Sequence, residues 1–501
     1  MAQKLSDLGT PTEFWEYFEQ ISKIPRCSGN ERQISKYIEQ EGKNFGFDTK
    51  IDKAKNLVIK IPSKIKKGNN PKVVLQCHLD MVCEKNANVN HDFSKDPLKL
   101  KIVEVNKEKW LTAEGTTLGA DNGVGIAYLL TLMKKIHHTE LDFRSIALDL
   151  LFTVEEERAL LGALRINEDL IDGKYLINLD SEDDNKFIIG CAGGISTDVD
   201  IKFKYENIDE SKNNVLPVKL FIKGLMGGHS GVDINKDRAN ALKLMGKILW
   251  KINNKYSIYI NSINGGNLPN AIPREVYSII FVNNDVVSEL KVCIDQIISE
   301  IKFDISNREP NMEIIFEQLK DFPEKKILPK KVQEKLLHIL YVIPNGPISY
   351  HPKFQNLVHT STNLASIRTK NGLIKIITSQ RSLQESSKRV IYEKIEALFK
   401  LANLNINIIH PADYPGWEPN FKSKLLTISK NIYMELFHKE PIIEVIHAGL
   451  ETGILKKKFP DIEMISIGPT MVNSHSPDER LKIRSIEKFW NFLTKLLNNL
   501  S

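Results

Sequence analysis

Cysteine is scarce in this chain. The 501 residues contain five, Cys27, Cys77, Cys83, Cys191 and Cys293, and no C-x-x-C spacing pairs them. An odd number in a long chain predicts a reducing compartment, the cytoplasm. Long hydrophobic runs are missing as well, since no stretch of about 18 apolar residues is there to span a bilayer. The opening MAQKLSDLGTPTEFWEYF lacks the basic-then-apolar run of an export signal. A soluble, unexported protein without a membrane partner is expected. Nor does charge of one sign dominate: the formal net charge is +6, and the lysines are spread through mixed-sign surroundings. Without a concentrated basic face, nucleic acid is excluded as the main partner.

What is present is length and alternation. A chain of 501 residues exceeds what one hydrophobic core usually covers, so two domains are expected. From residue 72 to 180, KVVLQCHLD, SIALDLLFTVEEE and KYLINLD read as strands and GVGIAYLLTLMKKI as a helix. Consecutive apolar positions such as VVL and LDLLF predict strands covered on both faces, as in an α/β sheet. Past GCAGG at 190–194 the pattern changes. VLPVKLFIKG, REVYSIIFVNN, MEIIFEQL, TNLASIRTK and GLIKIITSQRS read as strands, and RANALKLMGKILWKI, VSELKVCIDQIISEI and SSKRVIYEKIEALFKLA as amphipathic helices. This predicts a separate α+β domain over 196–410, flanked by 1–195 and 411–501.

Polar residues gather at the ends of the first set of strands. His78 and Asp80 are two apart, so on a strand they share a face, and Asp80 can accept the second N–H of the imidazole. A surface pair at a strand end has the same spelling. Asp121 lies in the glycine-rich GADNG; it reads either as a helix N-cap or as a carboxylate placed between two cations. Glu155, Glu156 and Glu157 follow LLFTV directly. Either they form the acidic first turn of a helix near 158, or one ligates a metal while its neighbour acts as general base. Asp180 ends LINLD, His475 lies in the polar NSHSPDE, and His229 sits among glycines in GGHSG. Imidazole and carboxylate together suit a two-metal hydrolase.

In order, HLDMV, LGADNG, TVEEE, INLDSE, GCAGG, GGHSG, NAIPRE, HAGLE and SHSPDE resemble the M20 metallopeptidase family, and within it the aminoacyl-histidine dipeptidases. The resemblance covers nearly the whole chain. It implies an α/β fold: a discontinuous zinc-peptidase-like catalytic domain with an inserted α+β lid. It also implies two divalent ions, zinc first, with Mn or Co compatible with the same donors. Asp121 would bridge them, His78 and Asp180 completing one site and Glu157 and His475 the other.

By the same resemblance Asp80 orients His78, Glu156 is the general base and the Asp121–Asn122 peptide is cis. His229 would stabilise an oxyanion, Arg381 the terminal carboxylate of a small peptide substrate, and Asn270 would contact its backbone. A homodimer is implied too. Arg158 and Ala159 depart from the family, which has a small residue and Gly there. The activity expected is hydrolysis of dipeptides, Xaa-His first. A tripeptidase, an N-acyl amino acid deacylase and a non-catalytic metal-binding relative are the alternatives.

Overall fold

A computed structural model describes residues 4–65, 71–143, 145–208, 214–320, 322, 325–352 and 354–500. The chain divides into two compact units. The first comprises 1–191, 417–445 and 450–501, and the second comprises 192–416 and 446–449. The second unit is therefore an insertion in the sequence of the first.

The first unit is built on an eight-stranded sheet in the order 48–51, 57–61, 147–153, 72–78, 175–178, 463–466, 186–191 and 442–446. Strand Lys72–His78 runs parallel to Ala147–Thr153 on one side and to Tyr175–Asn178 on the other. All three are buried along nearly their whole length. Helices must therefore cover both faces, as their unbroken apolar runs require. Helix Ala120–His137 is buried on almost every side, matching its apolar composition. At the C-terminal end of the chain, helix Ile483–Leu500 places Ile486, Phe489, Leu493, Leu496 and Leu497 at three- and four-residue spacing, all buried. Its backbone is tied to helix Ala120–His137 by the Tyr128 hydroxyl, which donates to the Ile486 carbonyl at 2.9 Å.

A smaller four-stranded sheet in the same unit pairs Arg480–Lys482 with Met471–Val472 and with Glu108–Ala113. The hairpin loop between 472 and 480 thus returns to the fold at both ends. Cys27 and Cys83, 56 residues apart, are joined in a disulfide, while Cys77, Cys191 and Cys293 are buried thiols. The sequence shows no C-x-x-C spacing that marks this pair. The pair meets because segment 26–28 lies against the end of strand Lys72–His78, where Met81 bridges to Cys27.

The second unit carries a ten-stranded sheet whose main path runs 313–318, 215–223, 276–283, 258–265, 358–370, 373–382, 193–202 and 406–409. Neighbouring strands of that path are antiparallel. Helices Ala241–Asn253, Val287–Ile305, Lys330–Val342 and Glu385–Leu401 supply Leu249, Ile294, Leu340 and Phe399 to its core. The α/β class with an inserted α+β region is what the sequence patterns anticipate.

Leu493 is fully buried. Truncating it leaves a cavity as well as losing transfer energy, so Leu493→Ala is expected to lower stability by about 2–5 kcal/mol. Urea unfolding followed by circular dichroism measures this; a change within 0.5 kcal/mol, about what a surface site gives, would contradict the packing described.

Candidate metal centre

The C-terminal ends of three adjacent parallel strands deliver the first residues of the site. His78 is the last residue of Lys72–His78, Glu156 and Glu157 follow Ala147–Thr153, and Asp180 follows Tyr175–Asn178. Open α/β sheets form their clefts at this edge. Asp121 arrives from the start of helix Ala120–His137, where its φ/ψ and those of Asn122 are non-helical and the peptide between them is cis. Asp121 makes no N-cap hydrogen bond, and the helical residue preceding it is capped by Gly119 without side-chain help. His475 comes from the hairpin loop and has a positive φ of 66°.

These six side chains converge. His78 Nε2 lies 2.8 Å from Asp121 Oδ1 and 3.4 Å from Asp180 Oδ1. His475 Nε2 lies 3.0 Å from Asp121 Oδ2 and 3.0 Å from Glu157 Oε1. Asp121 therefore reaches one imidazole with each carboxylate oxygen. Potential ligand atoms of His78, Asp121 and Asp180 all lie within 4.8 Å of one another, as do those of Asp121, Glu157 and His475, and those of His78, Glu156 and Glu157. Glu157 Oε1 is buried and faces the His475 imidazole nitrogen at 3.0 Å. A buried carboxylate oxygen facing an imidazole nitrogen fits a cation that both would ligate.

Asp80 sits behind these residues, fully buried. His78 Nδ1 faces its backbone carbonyl at 3.1 Å and its carboxylate at 3.4 Å. The same carboxylate accepts the backbone N–H of Glu156 at 3.0 Å, that of Glu157 at 3.1 Å and the Ser28 hydroxyl at 2.7 Å. One carboxylate thus sets both the imidazole and the Glu156–Glu157 backbone. The acidic run is not a helix's first turn, because the next helix spans only Leu161–Arg165. Arg158, which departs from the family pattern, points outward toward Glu155 at 3.3 Å, and Ala159 takes a left-handed φ of 65°.

His229, Asn270 and Arg381 belong to the second unit. His229 pairs with Ala271 in a two-stranded ribbon, and the Asn270 carbonyl accepts from Ser230 N at 2.7 Å. The turn before His229 has positive φ at Gly227 and Gly228. The Gly231 and Val232 N–H groups donate to His229 Nδ1 at 3.2 and 3.3 Å. That assigns the ring proton to Nε2. Arg381 is buried; its Nη1 donates to the Tyr414 hydroxyl at 2.7 Å and its Nε has no partner. Opposite it in register is Ser361, whose hydroxyl is 2.7 Å from His447 Nε2. Asn270 itself is exposed.

The chain is 34% identical over 499 residues to the cytosol non-specific dipeptidase of Escherichia coli (strain K12), covering 99% of each chain. The chain belongs to the M20 family of metallopeptidases. A family model described as "Peptidase dimerisation domain" matches residues 222–309 and one described as "Peptidase family M28" matches 56–211. Among solved structures, the aminoacylhistidine dipeptidase of Vibrio alginolyticus superposes with a TM-score of 0.85 at 32% identity, over 99% of this chain and 98% of that one. A tripeptidase from Staphylococcus aureus shares the fold, with a TM-score of 0.54 at 16% identity over 97% and 98% of the two chains.

Two further buried residues of this M20 peptidase, Glu451 in the first unit and His447 in the second, are not singled out in the sequence beyond the HAGLE motif that holds both. Glu451, fully buried, accepts from Gln76 Nε2 at 2.6 Å and from the Thr153 hydroxyl at 2.7 Å, and its second oxygen has no partner. Gln76 precedes His78 and Thr153 ends the strand before Glu156, so Glu451 underlies both. A carboxylate within the otherwise apolar stretch after HAGL was the available signal. Buried His447 is the other, pushed down to about 3 by burial and by the charges of Arg381, His359 and His229.

Crowded acids and bases shift one another. Burial pushes the Asp180 carboxyl up to about 8, with the Asp121 charge adding to it. Burial, then the Asp180, Glu157 and Glu451 charges, also raise Glu156 well above the carboxylate range, against the pull of His78. His475 is pushed up to about 11 by hydrogen bonds to Asp121 and Glu157. At pH 7 such groups hold protons that a divalent ion would displace, so acid must compete with metal. Zinc added to metal-depleted protein is expected to release protons at pH 7, and its affinity to fall roughly tenfold per pH unit for each proton displaced as pH drops from 8 to 6. Competition titration with a chromophoric chelator measures this, and an affinity unchanged across that range would contradict it.

Proposed function

We propose that this M20 peptidase is a dinuclear, metal-dependent dipeptidase with Asp121 bridging its two ions. The observation that carries the reading is the position of Asp121, within reach of His78 through one oxygen and His475 through the other. His78 and Asp180 would hold one ion with it, and Glu157 and His475 the second. All donors are imidazole nitrogen or carboxylate oxygen, which suits zinc and is also compatible with Mn or Co. When bound, the pair of ions supplies Lewis-acid polarisation of the scissile carbonyl and acidifies a water.

The residues of the chain do the rest. Glu156, made more basic by burial among other carboxylates, takes the water's proton and passes it to the departing amine. Asp80 keeps His78 and the Glu156 backbone in register through the contacts already described. His229, with its proton on Nε2, is suited to donate to the tetrahedral oxyanion, a contribution of about 2.7–4 kcal/mol where one such donor has been removed elsewhere. Arg381, carrying a buried Nε without a partner, would pair with the substrate's terminal carboxylate. Asn270 would contact its backbone.

Dipeptides are favoured as substrates by the two relatives that are 34% and 32% identical, each over 99% of this chain. They differ in what their names say of specificity, one non-specific and one aminoacylhistidine. We take Xaa-His dipeptides as preferred. We read the protein as a homodimer, supported by the dimerisation-domain match, and as cytoplasmic, supported by the E. coli relative's name.

Glu156→Gln is expected to keep full metal content and lose about 10²- to 10⁴-fold in kcat, the range of general-base assistance. Elemental analysis beside steady-state assay of Xaa-His dipeptides checks both halves, and near-normal turnover would remove Glu156 as the base. Xaa-His dipeptides are expected to outrun tripeptides and N-acetyl amino acids in kcat/KM; a tripeptide or acyl substrate turned over faster would shift the assignment to another M20 activity.

A further inference from the structure

The turn that delivers Asp121 is held by two buried charges. Glu479 is 2% exposed, and its carboxylate accepts four consecutive backbone N–H groups. Oε2 takes Leu118 at 2.7 Å and Gly119 at 2.9 Å, and Oε1 takes Ala120 at 2.7 Å and Asp121 at 3.2 Å. Four successive N–H groups can face one carboxylate because Gly119 adopts a left-handed φ of 66°. A Cβ at that position would stand 2.6 Å from Arg26 Nη2. Arg26, also 2% exposed, approaches from the other side. Its Nη2 donates to the Gly119 carbonyl, and its Nη1 donates to the carbonyls of Leu79 at 3.1 Å and Asp80 at 2.9 Å.

The peptides around Gly119 thus lie between an acceptor and a donor, and each charge reaches a different ligand segment. Glu479 lies four residues after His475 in the same hairpin loop, anchored by Glu479 N to Ser476 O at 3.0 Å and by Thr112 Oγ1 to Glu479 O at 2.6 Å. Arg26 grips the two residues that follow His78. We propose that Glu479 and Arg26 are positioning residues that lock the Asp121 turn to the His475 loop and to the His78 strand end, and so set the metal affinity of the centre. The inference rests on the metal-centre reading above for its second half only, because the clamp on the turn can be read without any metal.

Glu479→Gln keeps the side chain's shape but turns an NH2 toward two of the four N–H groups, and Arg26→Lys keeps the charge while losing the forked reach to three carbonyls. In the full-length protein, Glu479→Gln is expected to speed hydrogen exchange of the 118–121 amides at least tenfold. Zinc affinity should weaken at least tenfold in competition titration, and kcat should return with excess zinc while KM stays within twofold. Arg26→Lys is expected to shift both in the same direction and decides the matter if Glu479→Gln does not fold. Asp121→Ala serves as the control for the metal reading. If Asp121→Ala loses zinc while the clamp variants bind as wild type, the proposed role in metal affinity is overturned. If Asp121→Ala binds zinc normally, the metal reading fails, and the clamp is judged by exchange alone. Wild-type exchange at 118–121 in the clamp variants overturns the clamp in either case.

Discussion

Like charge held close together and out of water is the constraint on which the first unit is built. Asp121, Glu156, Glu157 and Asp180 bring their carboxylates together around two imidazoles at the ends of buried strands. Two like charges 4 Å apart repel by about 4 kcal/mol at an effective dielectric of 20. A few such pairs would match the whole stability of a domain, about 5–15 kcal/mol. The raised carboxyls of Asp180, Glu156 and Glu157 express that repulsion together with burial. Protons or divalent cations must offset it, and at neutral pH cations do so without losing the charge that chemistry needs.

Such a site requires a stiff frame, because repelling groups drift apart unless their backbones are fixed. The frame here is made of buried polar groups. Asp80 binds the Glu156 and Glu157 amides, Asn122 Nδ2 reaches Asp180 at 2.5 Å, and Glu451 ties Gln76 to Thr153 beneath the strand ends. Burial of these groups is costly in isolation and becomes acceptable because nearly every one is hydrogen-bonded. Some buried side-chain atoms stay without a hydrogen bond, Glu451 Oε1 and Arg26 Nε in the first unit and Arg381 Nε in the second among them.

Much of this was legible in the sequence, for a physical reason. His78, Glu156, Glu157 and Asp180 each follow an apolar run, and a polar residue at the end of a doubly covered strand stands out by contrast. The inserted α+β region announced itself through the change from continuous to alternating apolar patterns after residue 194. What stayed hidden depends on distant meetings. Glu479 and Arg26 look like ordinary surface charges in their own segments, and only the fold brings them to opposite sides of Gly119. Cys27 and Cys83 likewise meet through tertiary structure. The short return of 446–449 to the second unit, which carries His447, is marked by no change in composition.

The bridging role of Asp121 is tested most directly by diffraction from zinc-loaded crystals at the zinc absorption edge. The account predicts two anomalous peaks per chain, roughly 3.5–4 Å apart, one on each side of the Asp121 carboxylate, with His78 and Asp180 at one and Glu157 and His475 at the other. A single peak at full zinc occupancy, or two peaks that do not share Asp121, would contradict it.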